Sequence, residues 1–146
     1  SQIRAALGFL EAVEGLQIKA VSRFYRTAPW GKTDQDWFVN AAAVGETSLT
    51  AHEVLRACKQ IEVQLGRTPG ERWGPRLIDI DLLYLGEEKT DTPALTLPHA
   101  EMFNRSFVMV PLGEIAGGVV VGGKRIGDVV AEMDLPEGEI EPYEMA

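Results

Sequence analysis

Residues 67–85 read RTPGERWGPRLIDIDLLYL, a loop rich in arginine, glycine and proline that runs into an apolar, strand-like stretch. Side chains alternate along an extended chain, so the pattern predicts a strand over 77–85 with Asp79 and Asp81 on one face. Ile78, Ile80, Leu82 and Tyr84 take the other. Same-face Cα atoms two residues apart in a strand are roughly 6.6 Å apart. Aspartate is a poor strand former and two carboxylates at this spacing repel, so the pair needs compensation. A hard divalent cation supplies it: magnesium takes few carboxylates and completes its shell with phosphate oxygens and water. For an isolated Asp-x-Asp, a solvent-facing polar edge without a ligand is the competing reading.

The residues upstream favour a ligand. Arg67, Arg72 and Arg76 lie within ten positions, beside Pro69, Gly70, Gly74 and Pro75. Such a loop can close over a charged ligand, its guanidiniums neutralising phosphate oxygens and the charge that develops during transfer. Trp73, an indole among polar neighbours, is either a hinge anchor or a stacking surface. The competing reading is a solvated charged loop. His99, after Pro98 and before Asn104 and Arg105, falls in a turn that could approach a phosphate. His52, at a helix start, reads as surface.

This cationic loop stands in an acidic chain of 146 residues with a formal net charge of −8. That charge argues against nonspecific binding to nucleic acid or an anionic membrane, and the contrast with the loop suggests a small polyanionic ligand. Hydrophobic content of 45% and charged content of 25% are those of a globular protein. No apolar run approaches the ~20 residues that span a bilayer. The opening SQIRAALGFLEAVEG has neither the basic nor the long apolar region of a secretory signal. The expectation is one cytoplasmic domain over residues 1–146. Cys58, a single cysteine, belongs on the buried face of a helix. Neither a glycine-rich Walker loop, a serine nucleophile motif nor Cys/His zinc spacing occurs.

Helical spacing of Ile3, Leu7 and Leu10 predicts a helix over 2–14 that begins almost at the first residue. Residues 16–27 and 37–47 are strand-like. Thr50 and Glu53 form a capping box and Leu49 and Val54 a hydrophobic staple for a helix over about 51–65. Val54, Cys58, Ile61 and Leu65 make its buried stripe, and Gly66 its left-handed stop. A further helix over about 106–115 contains Pro111. Residues 117–146 hold a hairpin turning at Gly122 and Gly123, a short helix near 128–133 and an acidic tail. Strands and helices alternate irregularly, so the class is α+β, an open sheet with helices packed on it.

ERWGPRLIDIDLLYL, followed by LPHAEMFNRSFVMVPLGEIA and preceded by SRFYRTAPWG and FVNAAA, resembles the pyrophosphokinases that act on 6-hydroxymethyl-7,8-dihydropterin. The likeness is ordered along residues 2–116, and Arg-Trp-Gly-Pro-Arg-x-x-Asp-x-Asp is highly specific. It implies a ferredoxin-like antiparallel sheet with helices packed on it, the family's first strand and its Gly-Ser-Asn turn being absent from this sequence. It also implies transfer of pyrophosphate from ATP to the pterin hydroxymethyl oxygen, with release of AMP, in folate synthesis.

Carried over by position, Asp79 and Asp81 would bind two Mg2+ ions, and Arg72 and Arg76 would close on the phosphates with Trp73 sealing the site. Glu62, Arg67, Thr96, His99 and Arg105 would line the ATP site. Asn40 would read the pterin edge through its amide, and Phe38 and Phe107 would sandwich the ring. Thr27, Ala28, Pro29 and Trp30 would contact it from a loop. Ala94 stands where some relatives place an ATP-contacting arginine. ATP and the pterin alcohol are the expected partners of a monomer. The alternative is a non-catalytic nucleotide- or pterin-binding domain of the same fold.

Overall fold

A computed structural model describes residues 2–27, 38–66, 78–135 and 140–142. In chain order the elements are α1 (Gln2–Glu11), β1 (Leu16–Val21), β2 (Tyr25–Thr27), β3 (Phe38–Asn40), β4 (Ala43–Thr47) and α2 (Ala51–Gln64). They continue with β5 (Thr90–Asp91), β6 (Thr96–Leu97), a 3-10 turn (Met102–Asn104) and α3 (Ser106–Ala116). The last are β7 (Val120–Val121), β8 (Lys124–Arg125), α4 (Ile126–Glu132) and β9 (Ile140–Pro142). Helices mixed with short antiparallel strands make this an α+β structure. Among the described residues no helix is long and apolar enough to cross a membrane.

The chain divides into two compact units, Ser1–Ile18 with Gly45–His99, and Lys19–Val44 with Ala100–Ala146. In the first, α2 starts as its sequence requires. The Thr50 side chain accepts from Glu53 N and the Glu53 carboxylate accepts from Thr50 N, so two N–H groups left over by the first turn are satisfied. Ala51, Val54, Cys58 and Ile61 are buried, and Gly66 ends the helix with a φ of 113°. Helix α1 packs along α2, burying Ala6, and Gln2 Nε2 donates to Leu65 O at 3.2 Å. A second cluster joins Ala51 and Leu55 of α2 to Leu82, Leu85, Leu95 and Leu97. It ties residues 82–85 and the β5–β6 hairpin to the helix.

In the second unit β2 is the middle strand of the sheet β3-β2-β9, antiparallel to both neighbours. Tyr25, Arg26 and Thr27 stand opposite Asn40, Val39 and Phe38 on one side and opposite Pro142, Glu141 and Ile140 on the other. Helices α3 and α4 pack together, and Met102, Met109, Leu112, Val121 and Ile126 are fully buried. Helix α3 continues through the buried Pro111. Strands β7 and β8 turn at Gly122 and Gly123, whose φ values of 56° and 80° match a two-residue hairpin that needs positive φ at both positions.

Three sequence expectations change. Residues 16–27 and 37–47 each break into two short strands at matching places. At the break, Ser22 N donates to Ala42 O and Ala42 N donates to Ser22 Oγ, so a side chain replaces one backbone partner in the ladder. The helix expected over 2–14 ends at Glu11, and the chain turns into β1 through Gly15 with a φ of 89°. The strand expected over 77–85 is not assigned in its described part, 78–85. There the N–H of Ile80 is taken by a side chain rather than by a neighbouring strand.

Candidate active site

Residues 78–82 keep the alternation that their sequence dictates. Asp79 and Asp81 are exposed, while Ile78, Ile80 and Leu82 are half-buried. The segment is held from beneath by Glu62 of α2. This glutamate is only 2% exposed, its Oε2 accepts from Ile80 N at 2.6 Å, and Lys59 Nζ lies 3.4 Å from Oε1. A carboxylate bonded to the backbone between two aspartates fixes the strand-like geometry that sends both outward. Buried carboxylates need such partners, because desolvation without them costs several kcal/mol, on the order of the penalty for any unpaired ion.

Beneath the same segment, burial pushes the Cys58 thiol up to about 11, the charges of Glu62 and Asp81 adding to the shift. Cys58 is thus core, as its position in the helical stripe predicts. His99 is half-buried, and its N–H donates to Leu83 O at 2.7 Å. The Leu97–Pro98 peptide that precedes it is cis. Thr96 is exposed between the buried Leu95 and Leu97. Asp79, Asp81, Glu62, Thr96 and His99 therefore all belong to the first unit, on elements anchored by one leucine cluster. His52 is exposed, with its Nε2 at 3.5 Å from Thr92 Oγ1.

The second unit carries the other candidates. Tyr25 and Thr27 share one face of β2, and Asn40 stands opposite Tyr25. Tyr25 Oη donates to Glu114 Oε1 of α3 at 2.5 Å. Arg23 donates from its backbone N to Glu114 Oε2 at 2.8 Å and from Nε to Oε1 at 3.0 Å. Phe107 and Glu114 are seven residues apart and so share a face of α3, the face that meets β2. That puts Phe107 on the α3 face turned to the sheet. The Arg105 guanidinium lies 5.8 Å from the Phe107 ring centroid, within cation–π range.

Thr27 is half-buried, yet its hydroxyl is shielded and has no hydrogen-bond partner among the described residues. An orphaned buried hydroxyl is uncommon. Ala28, Pro29, Trp30, Arg67, Arg72, Trp73 and Arg76 lie outside the described residues, and of Phe38 only the backbone register is described.

The cluster of Arg23, Tyr25 and Glu114 was not anticipated from sequence. Its members are up to 91 residues apart, and no local pattern marks them. Desolvation raises the Glu114 carboxyl, but bonds from Tyr25 and Arg23 outweigh it and hold it below the usual carboxylate value. Burial raises the Tyr25 phenol, and its bond to Glu114 adds to this.

As a donor set, two exposed aspartates on alternate residues offer hard oxygen ligands of the kind magnesium shares with phosphate and water. An amide and an aromatic ring on the facing sides of β3 and α3 suit a flat heterocycle with donors and acceptors on its edge.

The family described as 7,8-dihydro-6-hydroxymethylpterin-pyrophosphokinase matches residues 1–117. A 2-amino-4-hydroxy-6-hydroxymethyldihydropteridine pyrophosphokinase of Methylorubrum extorquens is 47% identical over 139 residues, which cover 94% of this chain and 87% of that protein. Its Pseudomonas aeruginosa counterpart is 42% identical over 115 residues, 79% of this chain and 71% of that one. The mitochondrial folate synthesis bifunctional protein of Pisum sativum is 45% identical over 103 residues, 70% of this chain and 20% of the larger protein. With most of its length matched in this way, the chain belongs to the 7,8-dihydro-6-hydroxymethylpterin-pyrophosphokinase family.

Proposed function

We propose that this chain transfers pyrophosphate from ATP to the hydroxymethyl oxygen of 6-hydroxymethyl-7,8-dihydropterin, releasing AMP, the folate-synthesis step for which its relatives are named. The observation that carries the reading is the outward pair Asp79 and Asp81 on a segment locked to α2 by the buried Glu62. The pterin oxygen forms its new bond to the β-phosphorus, and the bond from that phosphorus to the α,β-bridging oxygen breaks, leaving AMP.

Asp79 and Asp81 would hold two magnesium ions. When bound, these offset phosphate charge and acidify the attacking hydroxyl. Arg72 and Arg76 would bear on the transferring phosphates and Trp73 would seal the site, with Arg67, Glu62, Thr96, His99 and Arg105 toward the nucleotide. Glu62 would act there chiefly through the segment it holds. Asn40, Phe38, Phe107 and Thr27 to Trp30 would receive the pterin.

A ferredoxin-like sheet, a monomeric enzyme and a cytoplasmic setting belong to the same proposal. The antiparallel pairing of β2 and β3 and the packing of α1 on α2 support the first. The net charge of −8 supports small-molecule substrates over nucleic acid.

The test is product identity with ATP, magnesium and the pterin alcohol. AMP should form only when the pterin is present, and Asp79→Ala should lower the rate by on the order of 100-fold or more. ADP in place of AMP would show γ-transfer and sink the assignment. Binding of both ligands without turnover would favour a non-catalytic domain.

A further inference from the structure

Strand β9, Ile140–Pro142, lies outside the family-matched residues 1–117, within the acidic tail to which the sequence assigns no role. It nevertheless lines the free side of β2, opposite the edge taken by β3. In an antiparallel sheet, alternate residues of a middle strand direct their N–H and C=O groups to opposite neighbours. Without β9, three-residue β2 would be an edge strand with half of its backbone groups unpaired and its register set by β3 alone.

The two ends of β2 are also held differently. Tyr25 is pinned to α3 through Glu114 and Arg23. At the other end Thr27 stands between Phe38 and Ile140 in the register, where the chain enters residues 28–30. One residue back, the Arg26 guanidinium is paired in charge with the Glu141 carboxylate directly across the strand pair. A slip of one residue would separate these charges and turn Thr27 to the opposite face.

From this pairing we infer that the C-terminal strand is a positioning element of the pterin subsite, with Glu141 as its register lock on Arg26. The inference rests on the proposed placement of the pterin against β2 and β3. Glu141 does not touch substrate; it acts by holding Thr27 in place.

The experiment uses the full chain with Glu141→Arg, Glu141→Gln, the charge swap Arg26→Glu/Glu141→Arg, and Asn40→Ala. Steady-state kinetics are measured for each substrate, and amide hydrogen exchange is followed at Tyr25, Arg26 and Thr27. Glu141→Arg should raise KM for the pterin roughly 3- to 10-fold, the scale of a lost cross-strand pair turned repulsive, with KM for ATP and kcat unchanged. Exchange at the three amides should quicken, and the charge swap should restore both. Glu141→Gln removes only the charge and should give a smaller shift in the same direction, which keeps the comparison usable if the arginine variant folds poorly.

Unchanged exchange and unchanged pterin KM would overturn the inference. So would a rise in KM for ATP equal to that for the pterin, since a general loss of structure moves both. If Asn40→Ala raises the pterin KM and the Glu141 variants do not, the positioning role fails while the subsite stands. If Asn40→Ala also leaves the pterin KM unmoved, the subsite reading itself fails.

Discussion

Glu62 shows how one side chain can decide the presentation of two others. It follows Cys58 by four residues, on the flank of an apolar stripe, where an exposed glutamate would be unremarkable. Instead it is 2% exposed and bonded to Ile80 N at 2.6 Å. Glu62→Ala would leave that N–H without this acceptor and should cost roughly 1–3 kcal/mol, whereas Glu62→Gln keeps an amide oxygen in place and should cost less. Urea midpoints compare the two, and equal losses would contradict the bond's role. Four residues earlier, the Cys58 thiol is held protonated at neutral pH because burial opposes the thiolate. Iodoacetamide at about pH 8 should therefore label Cys58 slowly in the folded protein and readily in urea. Equal labelling would show that the α2 face opens.

The elements differ in how much of their stability is written locally. Helix α2 carries its own start signal, so Thr50→Ala should lower stability by about 1 kcal/mol through loss of the cap. Both bonds of the capping box are present, as Thr50 and Glu53 predict. The pairing of β1 with β4 depends on a close approach that no local pattern announces. A Cβ on Gly45 would sit 2.1 Å from Gln17 O, a backbone atom that cannot move without opening the pair. Gly45→Ala should accordingly cost about 1–3 kcal/mol or more, read from the thermal midpoint. A neutral result would mean that the strands separate easily. The run 78–85 is the reverse case. Over 78–82 its period-2 alternation is visible in sequence and in exposure alike, yet no strand is assigned in the described part of the run, where the Ile80 N–H is bonded to the Glu62 side chain.

For the molecule as a whole, charge placement predicts the pH response. Glu53 lies below the usual 4.5 because the Thr50 N–H and hydroxyl bond its carboxylate, and Glu114 is also below it once the bonds from Tyr25 and Arg23 outweigh desolvation. A carboxyl with a depressed folded value binds protons less readily than in the unfolded chain. Its contribution is therefore full above 4.5 and fades as pH falls through the folded value. Tyr25 is raised above 10 by burial, so the unfolded chain ionises first and stability is lost as pH rises through that range. The thermal midpoint should fall on both sides, and Glu114→Gln should flatten the acid limb. A midpoint at roughly pH 3.5 equal to that near pH 6 would contradict the assignment.

By itself the sequence determined what neighbours in the chain can decide. The helix over about 51–65, its cap and stop, the glycine hairpin at 122–123, the α+β class and the alternating aspartates all follow from spacings of two to four residues. The family was legible for the same reason, since RWGPR and the aspartates that follow are contiguous. Only the tertiary structure decided that Glu62 lies under Ile80, that Glu114 gathers Arg23 and Tyr25, and that an acidic tail becomes the outer strand beside β2. Those contacts join residues 18, 89 and 115 positions apart. Their partners are chosen by burial and charge after the chain has closed long loops, a selection that no local periodicity encodes.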